Sequence, residues 1–294
     1  MIEKYKKELK EIALLIEDDL REHTKNTSRM NVERIADEYI SSSRIEEQID
    51  LLERYTGKLN EKKILEVGSG FGMFTAYLKK FKQIDIVGLE PSTDEYSAAQ
   101  KVSDRILSLF SLEKGTIVNG FGEKMPFPDN SFDVIYSSNV LEHTSNPEKV
   151  IKESIRVLKP GGILQFVIPN YGSFWEGHYA LFWIPFMPPS LAKWYVRLRG
   201  RKPDYVDTLQ FITFFKLRKY LKNFDKKNSI EIITYGEDVF IERMKSLEFS
   251  GWGGLGTVKK WVELLKKMKL NIVVAKILLF TKSYNPFVLT VRKK

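Results

Sequence analysis

Residues 63–90 read KILEVGSGFGMFTAYLKKFKQIDIVGLE. Lys63–Val67 has the short, apolar character of a buried strand, and Ile84–Leu89 repeats it. Between them, Gly68, Gly70 and Gly72 lead into Gly72–Phe81, which reads as a helix. Strand, glycine turn, helix and strand make one βαβ unit with parallel strands and a right-handed crossover. The alternation continues downstream. A helix is expected from about Thr93 to Phe110, strands at Thr116–Asn119 and Phe132–Ser137, a helix at Pro147–Leu158 and a strand at Ile163–Ile168. Strands separated by single helices build an open, doubly wound α/β sheet.

Upstream, Ile12, Leu15, Ile16 and Leu20 recur at helical spacing, and a second helical stretch runs from about Val32 to Tyr55 before Gly57. Both suit helical cover on the sheet. Beyond Pro169 the βα pattern gives way to a segment rich in aromatics and prolines. It is followed by a helix at Thr213–Leu221, a strand at Ser229–Thr234, a basic amphipathic stretch at Val258–Phe280 and a last strand at Phe287–Arg292. The expected organisation is a helical cover over 1–58, a core over 59–170, and an insertion with the last core strands over 171–294.

The chain has 294 residues, 29% of them charged and 43% hydrophobic, which excludes wholesale disorder. It has no cysteine, so disulfides, thiolate metal sites and cysteine nucleophiles are excluded. Three histidines, His23, His143 and His178, give no expectation of a metal site. Residues 171–294 hold 23 Lys and Arg against 10 Asp and Glu, whereas the rest holds 24 against 28. The basic third therefore suits an anionic neighbour. No signal-peptide core is visible in MIEKYKKELKEIALLIEDD, and the apolar runs at Gly177–Ala192 and Leu270–Phe280 are too short for a bilayer. The expected location is cytoplasmic.

The glycine loop permits a tight turn and a close ligand approach. Taken alone it could be no more than a turn. Two acids sharpen it. Glu90 ends the second strand, 22 residues after Gly68, where a carboxylate can accept hydrogen bonds from ribose hydroxyls. Glu66 lies two residues before Gly68 and would repel a pyrophosphate. The spacing is G-x-G-x-G, not the dinucleotide G-x-G-x-x-G. A ligand with a ribose and a cationic group but no phosphate suits the loop, and S-adenosylmethionine is such a ligand.

The segments ILEVGSGFG (64–72), GLEPS (88–92), GEKMPFPDNSFDVI (122–135), SNVLEH (138–143) and RVLKPGG (156–162) stand in an order that resembles the class I S-adenosylmethionine-dependent methyltransferases. The likeness is to the small-molecule group related to quinone-biosynthesis enzymes. It implies a Rossmann-like, mostly parallel seven-stranded sheet with N-terminal helices and a C-terminal helical and aromatic insertion. It further implies that Glu66, Gly68, Ser69, Gly70 and Gly72 hold the methionine part of the cofactor. Glu90 would take the ribose hydroxyls, with Ser92 close by. Phe121 and Gly122 fall at the adenine position, where the family usually has an Asp. Asn139 would border the methyl-transfer centre.

Methyl transfer from a sulfonium is an in-line displacement that depends on alignment, and a base is required only for a protonated acceptor. His143 could be that base or could orient a loop. His178, in Trp175-Glu176-Gly177-His178-Tyr179, could be catalytic or structural, and Asn170 and Tyr171 are placed to line the acceptor pocket. Ser138-Asn139-Val140-Leu141 stands where amino-group nucleic-acid methyltransferases carry D/N-P-P-Y/F, which argues against methylation of exocyclic amines of DNA; the expected acceptor is an oxygen of a small or lipid- or glycan-linked molecule. Three readings of the basic tail stay open: a lid over the sheet, a helix lying on an anionic membrane, or an RNA contact. An RNA methyltransferase and a non-enzymatic membrane module are the competing functions.

Overall fold

The structure, a computed structural model, describes residues 2–24, 32–92, 97–246 and 256–294. Helices α1 (Lys6–Thr24), α2 (Val32–Ile40) and α3 (Ser42–Thr56) precede the sheet. The second predicted helical stretch is thus two helices, because Ser41 takes an extended conformation between them. The sheet begins with β1 (Lys63–Val67), α4 (Met73–Tyr77), β2 (Asp85–Glu90), α5 (Ser97–Leu109), β3 (Ile117–Asn119) and β4 (Phe132–Ser138). Next come α6 (Pro147–Val157) and β5 (Leu158–Ile168). A two-stranded hairpin of β6 (Trp175–Glu176) and β7 (Leu181–Phe182) stands apart from the main sheet. It leads to α7 (Pro189–Leu198), α8 (Phe214–Lys226), β8 (Ile230–Thr234), α9 (Glu237–Ser246), α10 (Gly256–Lys267), α11 (Asn271–Phe280) and β9 (Phe287–Lys293).

The main sheet has seven strands in the order β3-β2-β1-β4-β5-β9-β8. β1 to β5 pair in parallel, and β9 runs antiparallel to both β5 and β8. This is the Rossmann-like methyltransferase fold. The strand order reverses at β1, so the carboxyl ends of β1, β2 and β4 meet at the switch point where open α/β sheets bind ligands.

Alternation along each strand divides the core in two. Ile64, Ile86, Val134 and Tyr136 face Leu9, Ile12 and Ile16 of α1, Ile45, Ile49 and Leu52 of α3, and the buried residues of α4 and α5. Leu65, Val67, Leu89 and Ile135 face the opposite layer, built from α6, α8, α9 and the inner side of β9. A third cluster belongs to residues 171–211, where Tyr171, Tyr179, Trp183, Val196, Val206 and Phe211 pack on one another. The aromatic insertion therefore carries a small core of its own.

The basic stretch at Val258–Phe280 is two helices, not one. Lys269 adopts a left-handed φ of 59°, and Asn271 is buried with its amide donating to the Met244 carbonyl at 2.7 Å. Leu20 and His23 lie in α1, but their side chains fall outside the described set. No helix among the described residues is long and apolar enough to cross a membrane.

Ile16 is fully buried between α1 and the sheet layer. Ile16→Ala is expected to lower unfolding stability by about 2–5 kcal/mol in urea titrations. A loss below about 0.5 kcal/mol, the level of an ordinary surface substitution, would mean that α1 is not part of the cooperative core.

Candidate active site

The turn after β1 is held by backbone hydrogen bonds to the neighbouring strand, with Gly68 and Ser69 N–H both donating to the Leu89 carbonyl at 2.8 and 3.1 Å. Gly68 sits at φ 73°, and a Cβ there would come within 2.4 Å of Val140 Cγ2. Glycine is needed at this point because β4's exit packs directly on the turn. Gly70 differs: a Cβ at that position would meet no atom within 4 Å. Its α-carbon therefore borders open space, and its N–H donates to Glu90 Oε2 at 2.7 Å. Gly72 caps α4 at φ 76° and abuts Ile117.

Glu66, next to last in β1, and Glu90, the last residue of β2, are both withdrawn from water. Glu66 accepts a hydrogen bond from Thr75 Oγ1 of α4 at 2.5 Å, yet desolvation dominates and pushes its carboxyl up to about 8. Burial likewise raises Glu90 to about 7, against the opposing bond from Gly70. The nearby Ser69 Oγ is buried and receives no partner. Two desolvated carboxyls, an orphan hydroxyl and the open space beside Gly70 form a cradle for a ligand with cationic and hydroxyl groups. S-adenosylmethionine fits these donors and acceptors.

Ser137 Oγ donates to the Val67 carbonyl at 2.7 Å, tying β4 to β1 just below the turn. Asn139, at a left-handed φ of 55°, turns the chain, and Val140 covers Gly68. A single 3-10 turn, Leu141–His143, follows. The predicted pair His143 and His178 meets here, Nε2 to Nε2 at 3.2 Å. His178 Nδ1 lies 2.6 Å from Glu176 Oε1, and Glu176 Oε2 accepts the Tyr179 N–H at 2.6 Å. Burial disfavours a charged His178, but the Glu176 carboxylate outweighs it and raises the imidazole pKa. Desolvation and His178 pull His143 down to about 3. Tyr205 packs at a tilt against both rings, its centroid 5.4 Å from that of His178 and 6.1 Å from that of His143.

The other predicted residues divide. Phe121 is half exposed, and Gly122 lies close to Val150 and Val67. Ser92 bonds Asn119 through its N–H and Gln100 through its hydroxyl. Tyr171 is buried, stacked on Phe211 at 4.4 Å, with its hydroxyl 3.5 Å from both Glu176 and His178. Asn170 serves as a structural joint at the end of β5. Its amide donates to the Lys282 and Tyr284 carbonyls at 2.9 and 2.7 Å, and its Oδ1 accepts the Gly172 N–H. Both amide protons are occupied by backbone, so none is left for a ligand.

Sequence reasoning missed Glu142, Glu176, Thr75 and Tyr205. Glu142 and Glu176 each stand within two residues of a selected histidine, a local signal that was available. Tyr205 comes from a short 3-10 segment, Asp204–Thr208, and nothing in its neighbourhood marks it.

A family profile described as a methyltransferase domain matches residues 65–166. The sterol 24-C-methyltransferase of Aspergillus fumigatus is 38% identical over 102 residues, covering 34% of this chain and 26% of that protein. An uncharacterized methyltransferase of Mycolicibacterium vanbaalenii is 31% identical over 163 residues, covering 54% and 61%. Among solved structures, the [4+2]-cyclase SpnF superposes with a TM-score of 0.50 at 18% identity, covering 90% of this chain and 84% of that one, a likeness of fold. The chain thus spans between about a quarter and three-fifths of the length of these curated relatives. Residues 65–166, with their two buried glutamates at the glycine turn, are a class I S-adenosylmethionine-dependent methyltransferase domain.

Proposed function

We propose that the whole chain transfers a methyl group from S-adenosylmethionine to an oxygen of a small-molecule or lipid- or glycan-linked acceptor. The carrying observation is the adjacency of two unlike polar sites, the Glu66–Glu90 cradle and the His143–His178–Glu176 group, separated only by Val140 and one short turn. Glu66 and the loop from Gly68 to Gly72 would hold the methionine end of the cofactor, Glu90 the ribose hydroxyls, and Phe121 and Gly122 the adenine. Ser92 braces the end of β2 behind Glu90. The chemistry supplied there is a methyl carbon on a cationic sulfur, open to in-line displacement. On the acceptor side, Asn139 borders the transfer centre. His143 and His178 approach the acceptor oxygen, with His178 held in place by Glu176 and Tyr171.

The chain's own residues favour a cationic guest. Burial makes both carboxyls costly to ionise, and a positive ligand relieves that cost. The sign for the free protein follows from the raised values. A carboxyl with a folded-state pKa above its unfolded one supports stability at low pH and loses that support as pH rises through the folded pKa. Free-protein stability should therefore fall between about pH 5 and pH 8, and Glu66→Gln should flatten the fall. Urea midpoints across that range check it, and a flat profile would count against the buried pair. Calorimetry with S-adenosylhomocysteine should show binding that Glu90→Ala weakens by about 10–100-fold, the loss of hydrogen bonds to a charged acceptor.

Radiolabelled methyl offered with a fractionated cell extract should appear in a lipid or glycan fraction. His178→Ala should lower that transfer about 100-fold while leaving homocysteine-product affinity unchanged. Label confined to RNA, or no transfer by protein that binds the product, would overturn the acceptor class. The relative named a sterol methyltransferase supports a lipid acceptor, although its named position is a carbon.

A peripheral membrane position is favoured by one specific observation. Val273, Ile277 and Phe280 form an outward apolar stripe on α11, and Phe280 is 88% exposed. Leu264, Met268 and Leu270 extend the exposed apolar surface among lysines 266, 267 and 269. Such a pattern suits the headgroup region of an anionic bilayer. Co-sedimentation with phosphatidylserine vesicles should drop at least about 10-fold for Ile277→Glu with Phe280→Glu. Unchanged sedimentation would restrict the tail to a lid.

A further inference from the structure

His143 and His178 lie 35 residues apart in the chain, yet their Nε2 atoms face each other at 3.2 Å. A third donor stands beside them, with Glu142 Oε1 3.8 Å from His143 Nε2. One ligand atom from each of Glu142, His143 and His178 can be chosen so that all lie within 4.8 Å of one another. The 2.6 Å contact from His178 Nδ1 to Glu176 places the ring proton on Nδ1 and leaves the Nε2 lone pair turned toward His143.

An N–H···N bond between the two imidazoles would account for the 3.2 Å approach, but not for Glu142. Its side chain is completely buried, and neither oxygen receives a hydrogen bond from any other described residue. A buried carboxylate without a donor is expensive unless it takes up a proton or a cation, and the two imidazole nitrogens beside Glu142 supply further ligands for a cation. The spacing fits. An ion about 2.0–2.1 Å from each of its nitrogen and oxygen ligands sets those ligands roughly 3.0–3.4 Å apart. The two nitrogens already meet that condition, and Glu142, whose Oε1 lies 3.8 Å from His143 Nε2, has to swing inward to join them.

We propose that Glu142, His143 and His178 form a binding site for one divalent transition-metal ion, zinc being the best match, with Glu176 orienting His178 from behind. Two imidazoles and one carboxylate are a borderline donor set suited to zinc. Three protein ligands leave a coordination position open, the arrangement of a reactive site and not of a structural one. The placement one turn beyond Val140 makes an acceptor oxygen the natural occupant of that position. This last point rests on the transferase reading above, whereas ion binding does not. The sequence concealed the site because one pair of ligands follows β4 and the third comes from the β6–β7 hairpin.

The full chain, stripped with a chelator, is titrated with Zn2+ by calorimetry and with Co2+ in a visible-absorption cell, Mg2+ serving as the contrasting ion. One Zn2+ per chain is expected, together with the intense visible bands of low-coordinate cobalt and weak or no Mg2+ binding. His178→Gln and Glu142→Gln should each weaken Zn2+ at least about 100-fold, and Glu176→Gln about 10–100-fold, the usual effect of an outer partner. Zinc should also raise the melting temperature of the wild type but not of His178→Gln. Should Glu142→Gln fail to fold, the partly exposed His143→Gln takes its place. No stoichiometric uptake of either ion by folded wild type overturns the proposal, as does uptake unchanged in both histidine variants. Zinc uptake without S-adenosylhomocysteine binding would instead count against the transferase reading, so the two failures are separable.

Discussion

Two carboxyl groups, Glu66 and Glu90, sit near the ends of neighbouring parallel strands with little water to share between them. The rest of the site is arranged around that constraint. Gly70 turns its peptide N–H onto Glu90, Thr75 reaches back from α4 to Glu66, and Val140 closes over Gly68. Each contact is short in range and none neutralises the pair. The protein therefore holds a region of latent negative potential that a positively charged guest completes, and the preference arises from desolvation more than from any single bond.

The acceptor side is assembled differently. Its histidines are brought together by a segment with a separate aromatic core, docked on the sheet at two joints. One joint is Asn170, which ties the end of β5 to the turn before β9. The other is the Gln210 N–H, which donates to the Glu142 carbonyl at 2.7 Å. The second joint passes directly through a residue of the candidate centre, so the placement of the 204–212 segment and the geometry of the Glu142–His143 turn are set together.

Much of this was legible in the residues. β1 falls exactly where KILEV was read, and the cofactor loop could be interpreted from glycine spacing and two acids because everything it needs lies within 25 residues. The β6–β7 hairpin, α7 and α9 were not foreseen, since their apolar residues answer to the satellite core and to distant strands, not to a local period. The joint at Asn170 is hidden for a related cause. An asparagine after a strand resembles a ligand group in sequence, and only the fold reveals that the carbonyls of Lys282 and Tyr284 consume its amide. His143 and His178 show the reverse: each stands out locally, but only the fold brings the two rings together and sets Glu142 beside them.

The position of β9 bears on how the molecule comes into being. This strand lies between β5 and β8, although both of those leave the ribosome earlier. Until it arrives, each of them presents a bare edge with unanswered peptide groups, and the inner apolar residues of β9 are missing from their layer. Its pairing with β5 spans more than a hundred residues of intervening chain, a slow, high-entropy closure. The sheet can thus close only after β5 and β8 have both been made, and until β9 pairs with it the inner edge of β5 is open to any other extended segment.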